Sequence, residues 1–77
     1  MNFSEALEEL KLGARAARSS WVGKWVGLVP NWNFENLAQW SISDRAPFLL
    51  LHTADGTVVP WFASQTDLLA EDWEIVP

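Results

Sequence analysis

The segment that most constrains the architecture of this chain is Phe48-Leu49-Leu50-Leu51-His52-Thr53-Ala54-Asp55-Gly56-Thr57-Val58-Val59-Pro60-Trp61. Two apolar runs, residues 48–53 and 58–61, have the composition of strands and flank a short polar connection. Asp55-Gly56 within that connection is typical of a type I′ turn, because both central residues of such a turn need positive φ. The segment therefore predicts a β-hairpin with a type I′ turn.

Both faces of the first hairpin strand are largely apolar. Side chains alternate between the two faces of a strand, and an apolar set on each face needs a partner on each side. We expect a helix to cover one face and a neighbouring subunit to cover the other. The two sets are Phe48, Leu50 and His52 on one face and Leu49, Leu51 and Thr53 on the other.

The N-terminal residues predict an amphipathic helix. Its apolar positions follow the i, i+3, i+4, i+7 spacing of one helix face. Asn2 or Ser4 can cap its N-terminus, and Gly13 can end it in a left-handed conformation. The apolar stripe consists of Phe3, Ala6, Leu7 and Leu10.

The region between this helix and the hairpin predicts further strands. Residues 14–25 place small residues beside arginines and predict a strand that runs into a loop around Gly23. A short strand is expected near Val26–Val29, followed by a variable loop and another strand near Leu37–Ile42. This region therefore completes a sheet around the hairpin.

The residues after the hairpin predict a short helix and a closing strand. Ser64-Gln65-Thr66-Asp67 is a capping-box pattern that opens a helix through Ala70, and Trp73-Glu74-Ile75-Val76 has the composition of a strand. The expected fold class is α+β, with an N-terminal helix packed on a small antiparallel β-sheet and a short second helix near the C-terminus. A single domain is expected over residues 1–77, because this length with 49% hydrophobic content suits one small core.

Composition limits the possible function classes. The chain has no cysteine, which excludes disulfides and thiolate chemistry, and its net charge of −5 argues against nucleic acid polymers and anionic membranes as partners. The sequence lacks a signal-peptide pattern and an apolar run of roughly 20 residues. We expect a soluble intracellular protein that forms a homo-oligomer, because so small a core is only marginally stable alone.

The sequence offers little for catalysis or metal binding. His52 is the single histidine and lies within a predicted strand, where a structural role explains it. No nucleophile elbow or phosphate-binding glycine loop is present. The acidic run from Asp67 to Glu74 lacks calcium-loop spacing and is explained as a solvated helix end. We expect no enzyme activity, no metal site and no cofactor.

Tryptophan is the unusual feature of the composition. Six such residues exceed what so small a core can hold, so some are expected in a binding site or an interface. Trp21 and Trp25 lie near Arg18 and Lys24, which combines the stacking surface and positive charge of a nucleotide pocket. Burial of both tryptophans in a core or subunit interface explains the same pattern, and Arg18 is equally explained as an exposed strand residue.

The start of the second helix is another candidate contact. Ser64 and Asp67 are explained as helix caps, yet the same N-terminus presents free N–H groups and a hydroxyl to any ligand above it. Asp67 would repel a phosphate. It suits a ribose hydroxyl or an adenine amino group better.

Several blocks of the chain resemble one known family, the phage Thoeris anti-defence family of the second sponge type. The resemblance covers nearly the whole chain, and the closing block is its most specific part. The blocks are Asn2-Phe3-Ser4-Glu5-Ala6-Leu7, Leu10-Lys11-Leu12-Gly13, Arg18-Ser19-Ser20-Trp21, Pro60-Trp61 and Ser64-Gln65-Thr66-Asp67-Leu68-Leu69-Ala70-Glu71-Asp72-Trp73.

The resemblance implies a non-catalytic sponge in the host bacterial cytoplasm. Such a protein binds a cyclic ADP-ribose signal, such as glycocyclic ADP-ribose, made by a bacterial TIR-domain enzyme, and keeps it from the effector. The resemblance also implies a homotetramer with pockets shared between protomers. Some members of the family also capture cyclic dinucleotides. The alternative is a protein-binding module whose exposed tryptophans engage a host or phage protein.

The resemblance also implies site residues. Trp21 matches the purine-stacking aromatic of the family, and Trp61, Ser64 and Gln65 match its pocket-lining stretch before the second helix. Proximity to these positions adds further candidates. The full set of expected ligand-binding residues is Asn2, Arg18, Trp21, Lys24, Trp25, Trp61, Ser64, Gln65 and Asp67.

Overall fold

The computed structural model describes residues 1–29 and 47–77. These ranges contain α1 (Phe3–Lys11), β1 (Arg15–Arg18), β2 (Trp25–Val29), β3 (Phe48–His52), β4 (Val58–Pro60), α2 (Gln65–Leu69) and β5 (Trp73–Val76). The expected α+β class is confirmed, with an N-terminal helix, an antiparallel sheet and a short second helix near the C-terminus. The strand predicted near Leu37–Ile42 lies outside the described residues. Neither α1 nor α2 is long and apolar enough to cross a membrane.

The strands form one five-stranded antiparallel sheet in the order β4-β3-β2-β1-β5. β1 lies between β2 and β5, so the predicted closing strand pairs with the strand that follows α1. This register places Ala17 opposite Glu74 and Arg18 opposite Trp73. Residues from the two ends of the chain therefore meet at the β1–β5 pair.

One face of the sheet, called the helix face below, holds the hydrophobic core. Ala6 and Leu10 of α1 are buried there against Ala16, Val26 and Trp73. Leu10 is only 1% exposed, so its burial contributes about 1.5–3 kcal/mol. Further packing on this core comes from Leu28, Leu49 and Leu51.

The opposite face, called the open face below, carries the alternate residues of the same strands. Across β5, β1, β2 and β3, the strand register aligns Glu74, Ala17, Trp25 and His52 in one row. Leu50 lies on the same face in the next row. The contacts described for α1 and α2 involve helix-face residues, so the open face is free of both helices.

The ends of α1 follow the sequence prediction. The Asn2 side chain accepts a hydrogen bond from the Glu5 N–H at 2.9 Å, and the Glu5 carboxylate accepts one from the Asn2 N–H at 2.9 Å. This reciprocal pair is a capping box, so Asn2 and not Ser4 is the cap. Gly13 follows the helix with a φ of 98°, as a helix-ending glycine does.

The β3–β4 hairpin is confirmed, but the predicted type I′ turn is wrong. The Thr53 N–H donates to the Thr57 carbonyl at 2.8 Å, which leaves a three-residue loop over 54–56. The Gly56 N–H donates to the Thr53 carbonyl at 3.1 Å, so Gly56, with a φ of 91°, ends the turn and is not at its centre. The Asp55 carboxylate accepts from the Thr57 N–H and from both threonine hydroxyls, which stabilises this longer loop.

Candidate functional site

An open cleft of about 450 Å³ lies along the β1–β5 pair, where β1 leads into the loop toward β2. Its volume is in the range of small-molecule sites. The cleft brings together Arg18, Trp21, Lys24 and Trp25 from the expected set of ligand-binding residues. It is therefore the candidate site.

Ala17 forms the floor of the cleft. It lies between Trp25 of β2 and Glu74 of β5 in the row across the open face. Neighbouring strands are about 4.8 Å apart, so the Cα atoms of Trp25 and Glu74 are about 10 Å apart. Ala17 is buried, with only 7% of its surface exposed, so the side chains on either side of it largely cover its methyl group.

The loop between β1 and β2 supplies an aromatic surface and a positive charge. Trp21 is half-buried and packs edge-on against Trp73, with ring centroids 5.3 Å apart. The Lys24 Nζ lies 4.7 Å from the centroid of the Trp21 ring. Gly23 adopts a φ of 74°, and a Cβ there would lie 3.4 Å from the Ala54 Cβ. The loop thus places an indole and an ammonium group on the same side of the cleft.

Trp25 is enclosed by its neighbours on the open face. Its ring stacks on His52 of β3, with centroids 4.8 Å apart and planes 5° from parallel. The guanidinium carbon of Arg15, on β1, lies 5.1 Å from the Trp25 ring centroid. β1 and β3 flank β2 on opposite sides, so both contacts occupy the Trp25 ring. Trp25 is therefore a wall of the cleft, and a base would have to displace one of these neighbours to stack on it.

Arg18 lines the cleft with its charge already compensated. Its Nε donates to Asp72 Oδ1 at 2.9 Å, and its Nη1 donates to Asp67 Oδ1 at 3.1 Å. These hydrogen bonds, first to Asp72 and then to Asp67, raise the pKa of Arg18. The guanidinium, followed by the Ser19 hydroxyl, lowers the pKa of Asp72. Arg18 therefore ties α2 and the turn before β5 to the sheet, and its charge is poorly available to a phosphate.

The same network changes the predicted capping of α2. Ser64 is the N-cap as predicted, because its hydroxyl oxygen accepts from the Asp67 N–H at 3.1 Å. The Asp67 carboxylate binds Arg18 in place of the expected reciprocal bond to the cap. The Asp67 carbonyl accepts from the Trp73 Nε1–H at 2.8 Å. Asp67 is thus a structural partner of two other elements.

The remaining expected residues do not line this cleft. Trp61 packs against Trp73 in the core, with ring centroids 5.8 Å apart. Asn2 caps α1, Ser64 caps α2, and Gln65 is exposed in the first turn of α2. A ligand in the cleft of one protomer therefore contacts only part of the expected set.

Sequence reasoning missed Glu74 as a cleft residue. The acidic run to which it belongs is explained by sequence alone as a solvated helix end. Successive side chains of a strand lie on opposite faces of the sheet, so the sequence of β5 could have placed Glu74 on the face opposite the buried Trp73. Its position beside Ala17 depends on the β1–β5 pairing, which no local pattern reveals.

The described residues provide no metal cluster and no histidine in the cleft lining. Within residues 1–29 and 47–77, no group of three or more His, Asp or Glu side chains could hold a metal ion. His52 stacks on Trp25, and its Nδ1 is buried with no hydrogen-bond partner in that part of the chain. His52 therefore supports the Trp25 wall.

Nearly the whole chain is similar to known proteins. Residues 1–76 match the Thoeris anti-defense 2-like domain. The chain is also similar to the protein named Thoeris anti-defense 2 from Bacillus phage SP01, with 37% identity over 84 residues. That alignment covers 99% of this chain and 94% of the phage relative.

Proposed function

Because the chain belongs to the Thoeris anti-defense 2-like family, we propose that it performs its phage anti-defence role by sequestering a cyclic ADP-ribose-type nucleotide. The expected ligand is glycocyclic ADP-ribose made by Thoeris TIR enzymes, with cyclic dinucleotides as further ligands. The observation that carries the proposal is the cleft, in which the Lys24 ammonium group lies over the Trp21 ring, 4.7 Å from its centroid.

Trp21 and Lys24 supply the two kinds of contact that a nucleotide needs. Stacking of a base on an aromatic ring contributes about 1–3 kcal/mol. An ammonium group forms charge-assisted hydrogen bonds with phosphate oxygens. Since two carboxylates compensate Arg18, Lys24 is the main cation for phosphate among the described residues that line the cleft.

The proposal is capture without cleavage. Hydrolysis needs a general base or a nucleophile within hydrogen-bond reach of the reacting group. His52, the side chain best suited to that role near neutral pH, is stacked on Trp25 and is not part of the cleft lining. A sponge needs affinity instead of turnover, and nanomolar binding corresponds to about −12 kcal/mol.

We also propose that the protein acts as a homo-oligomer, a tetramer, in the host bacterial cytoplasm. A cleft open on one side leaves much of a nucleotide in water, whereas tight sites bury most of the ligand surface. A second copy packed on the open face would close the cleft. Leu50, half-buried, and Val58, 55% exposed, offer apolar surface on that face.

Isothermal titration with glycocyclic ADP-ribose tests the proposed function. We expect tight binding by the wild-type protein and roughly tenfold to hundredfold weaker binding by Lys24→Ala, since one charge-assisted hydrogen bond is lost. Lys11→Ala is the matched control. It removes the same charge from α1, where Lys11 pairs with Glu8 at 3.8 Å, and should bind like the wild type. Absence of binding by the wild type across a panel of cyclic nucleotides would contradict the proposal.

The role of Trp21 is tested with two variants, because its ring also packs on Trp73 and its loss could affect the fold. Trp21→Ala should abolish binding, and circular dichroism must accompany it to detect lost structure. Trp21→Phe keeps a ring against Trp73 and should weaken binding while the fold is retained. Wild-type affinity in a folded Trp21→Ala protein would show that the stacking role of Trp21 is wrong.

A second candidate function is a protein-binding module. Phe62 and Leu69 are 89% and 78% exposed, which offers apolar surface near α2. The described tryptophans are half-buried or buried, so they give this candidate less support than the sequence suggests. Recovery of one stoichiometric protein partner, together with no nucleotide binding, would favour it.

A further inference from the structure

The acidic side chain that faces a ligand in the cleft differs from the one suggested by the sequence. Asp67 was the candidate for an adenine amino group, but its carboxylate is bound to Arg18. Asp72 accepts from Arg18 and from the Ser19 hydroxyl at 2.9 Å. Among the described residues that line the cleft, Glu74 provides the acidic side chain, and it is exposed.

We propose that Glu74 is a specificity-determining residue of the cleft, where its carboxylate accepts a hydrogen bond from the exocyclic amino group of the bound purine. This inference rests on the proposed function, since it concerns the same ligand in the same cleft. It adds a base-reading contact to the stacking and phosphate contacts of Trp21 and Lys24.

The strand register places Glu74 where the edge of a base can reach it. Glu74 and Trp25 border Ala17 from opposite sides, on the same face of the sheet. Their Cα atoms are about 10 Å apart, two strand spacings. The Ala17 methyl group between them is buried, so a base in the cleft meets the exposed Glu74 side chain and not the floor beneath it. Trp21 and Glu74 line the same cleft, so a purine held against the Trp21 ring can turn its edge toward this carboxylate.

The charges of the cleft also favour an orientation of the nucleotide with its base toward Glu74 and its phosphates toward Lys24. A carboxylate repels phosphate groups, whereas Lys24 attracts them. Lys24 lies on the loop after β1, and Glu74 lies on β5 beside Ala17. Phosphates at the Lys24 side leave the base as the part of the ligand that meets Glu74.

Carboxylate chemistry predicts which purines are accepted. An ionised carboxylate only accepts hydrogen bonds, so it pairs with an amino group and repels a carbonyl oxygen. Adenine carries an amino group at position 6, whereas hypoxanthine carries a carbonyl oxygen there. A well-placed contact of this kind discriminates between bases by roughly tenfold to hundredfold.

The test compares glycocyclic ADP-ribose with its hypoxanthine analogue by isothermal titration. The wild type should prefer the adenine ligand by roughly tenfold or more. In Glu74→Gln the side-chain amide can donate as well as accept, so the preference should largely disappear and the hypoxanthine ligand should bind more tightly than to the wild type. Glu9→Gln, which removes the same charge from α1, should keep the wild-type preference.

The outcomes separate this inference from the proposed function. If the wild type binds the adenine ligand but Glu74→Gln keeps the wild-type preference, the role of Glu74 is wrong and the sponge function stands. Equal affinity of the wild type for both ligands would likewise show that the role of Glu74 is wrong, while the sponge function stands. If the wild type binds neither ligand, the proposed function and the role of Glu74 are both overturned.

Discussion

Arg18 joins the end of β1 to α2 and to the turn before β5 through its hydrogen bonds to Asp67 and Asp72. The side chains of Arg18 and Asp67 are 20% and 19% exposed, so this pair is shielded better than an ordinary surface ion pair. The Ser19 N–H also donates to the Asp72 carbonyl at 3.1 Å. These bonds hold the segment that precedes β5, and with it Trp73 and Glu74, against the sheet.

At the residue scale, the network predicts a loss of stability in acid. Hydrogen bonds from Arg18 and Ser19 lower the pKa of Asp72 below its unfolded value. The stabilisation that the Asp72 carboxylate gives to the fold is therefore complete above about pH 4. The contribution is lost as the pH falls from there through the lower folded pKa. Urea unfolding measured along this pH series should give a free energy of unfolding that decreases more for the wild type than for Asp72→Asn.

Two comparisons check the assignment to Asp72. Some acid dependence should remain in Asp72→Asn, because hydrogen bonds from Thr53 and then Thr57 lower the pKa of Asp55 as well. Glu71→Gln, beside Asp72 in the chain, should retain the wild-type profile. An Asp72→Asn protein with an unchanged acid profile would show that the network does not contribute.

At the element scale, β2 depends on a glycine beside its tryptophan. A Cβ at position 27 would lie 3.2 Å from Trp25 Cζ3, closer than most real contacts of this kind. The Trp25 ring cannot easily retreat, because His52 stacks on it and Arg15 lies on its other side. The absence of a side chain at Gly27 thus allows the wall of the cleft to form.

Gly27→Ala should therefore destabilise the fold by about 1–3 kcal/mol, the usual cost of overpacking, as measured by urea unfolding. The resonances of His52 should shift in the NMR spectrum, since the Trp25 ring current acts on the stacked imidazole. In a Trp25→Leu background the same change should be neutral or stabilising, because alanine suits a strand better than glycine. Equal destabilisation in both backgrounds would rule out the contact as the cause.

Prediction from sequence was accurate for elements whose signals are local. The α1 cap, the β3–β4 hairpin and the β5 strand follow from short patterns, and each lies where the patterns indicate. The turn type failed because Asp55-Gly56 suits two turn geometries. The hydrogen bonds of Asp55 to Thr53 and Thr57 select the longer loop.

At the scale of the whole molecule, the two faces of the sheet differ in their packing. The helix face is covered by α1, which buries Ala6 and Leu10. On the open face, Glu74, Ala17 and Trp25 border the cleft, and Leu50 lies in the next row. The proposed oligomer uses this face to close the cleft around the nucleotide.

Leu50→Asp should therefore reduce the mass measured by light scattering toward the 8.7 kDa of one chain. The interface would have to bury an unpaired carboxylate, which is unfavourable. Circular dichroism should show that the variant remains folded. Phe62→Asp is the matched control, since Phe62 is 89% exposed near α2, and should keep the wild-type mass. A wild-type protein that runs as a single chain would contradict the proposed oligomer.

The amino-acid sequence alone determined the α+β class, the Ser64 cap of α2 and the proximity of Trp21 to Lys24, because periodicity and capping act between residues a few positions apart. The tertiary structure decided which of those residues are available to a ligand. It paired Arg18 with Asp67 and Asp72, stacked His52 on Trp25, and set Glu74 beside Ala17. Such pairings depend on strand register and on contacts between distant segments, where any carboxylate could satisfy an arginine, so only the packed fold selects among them.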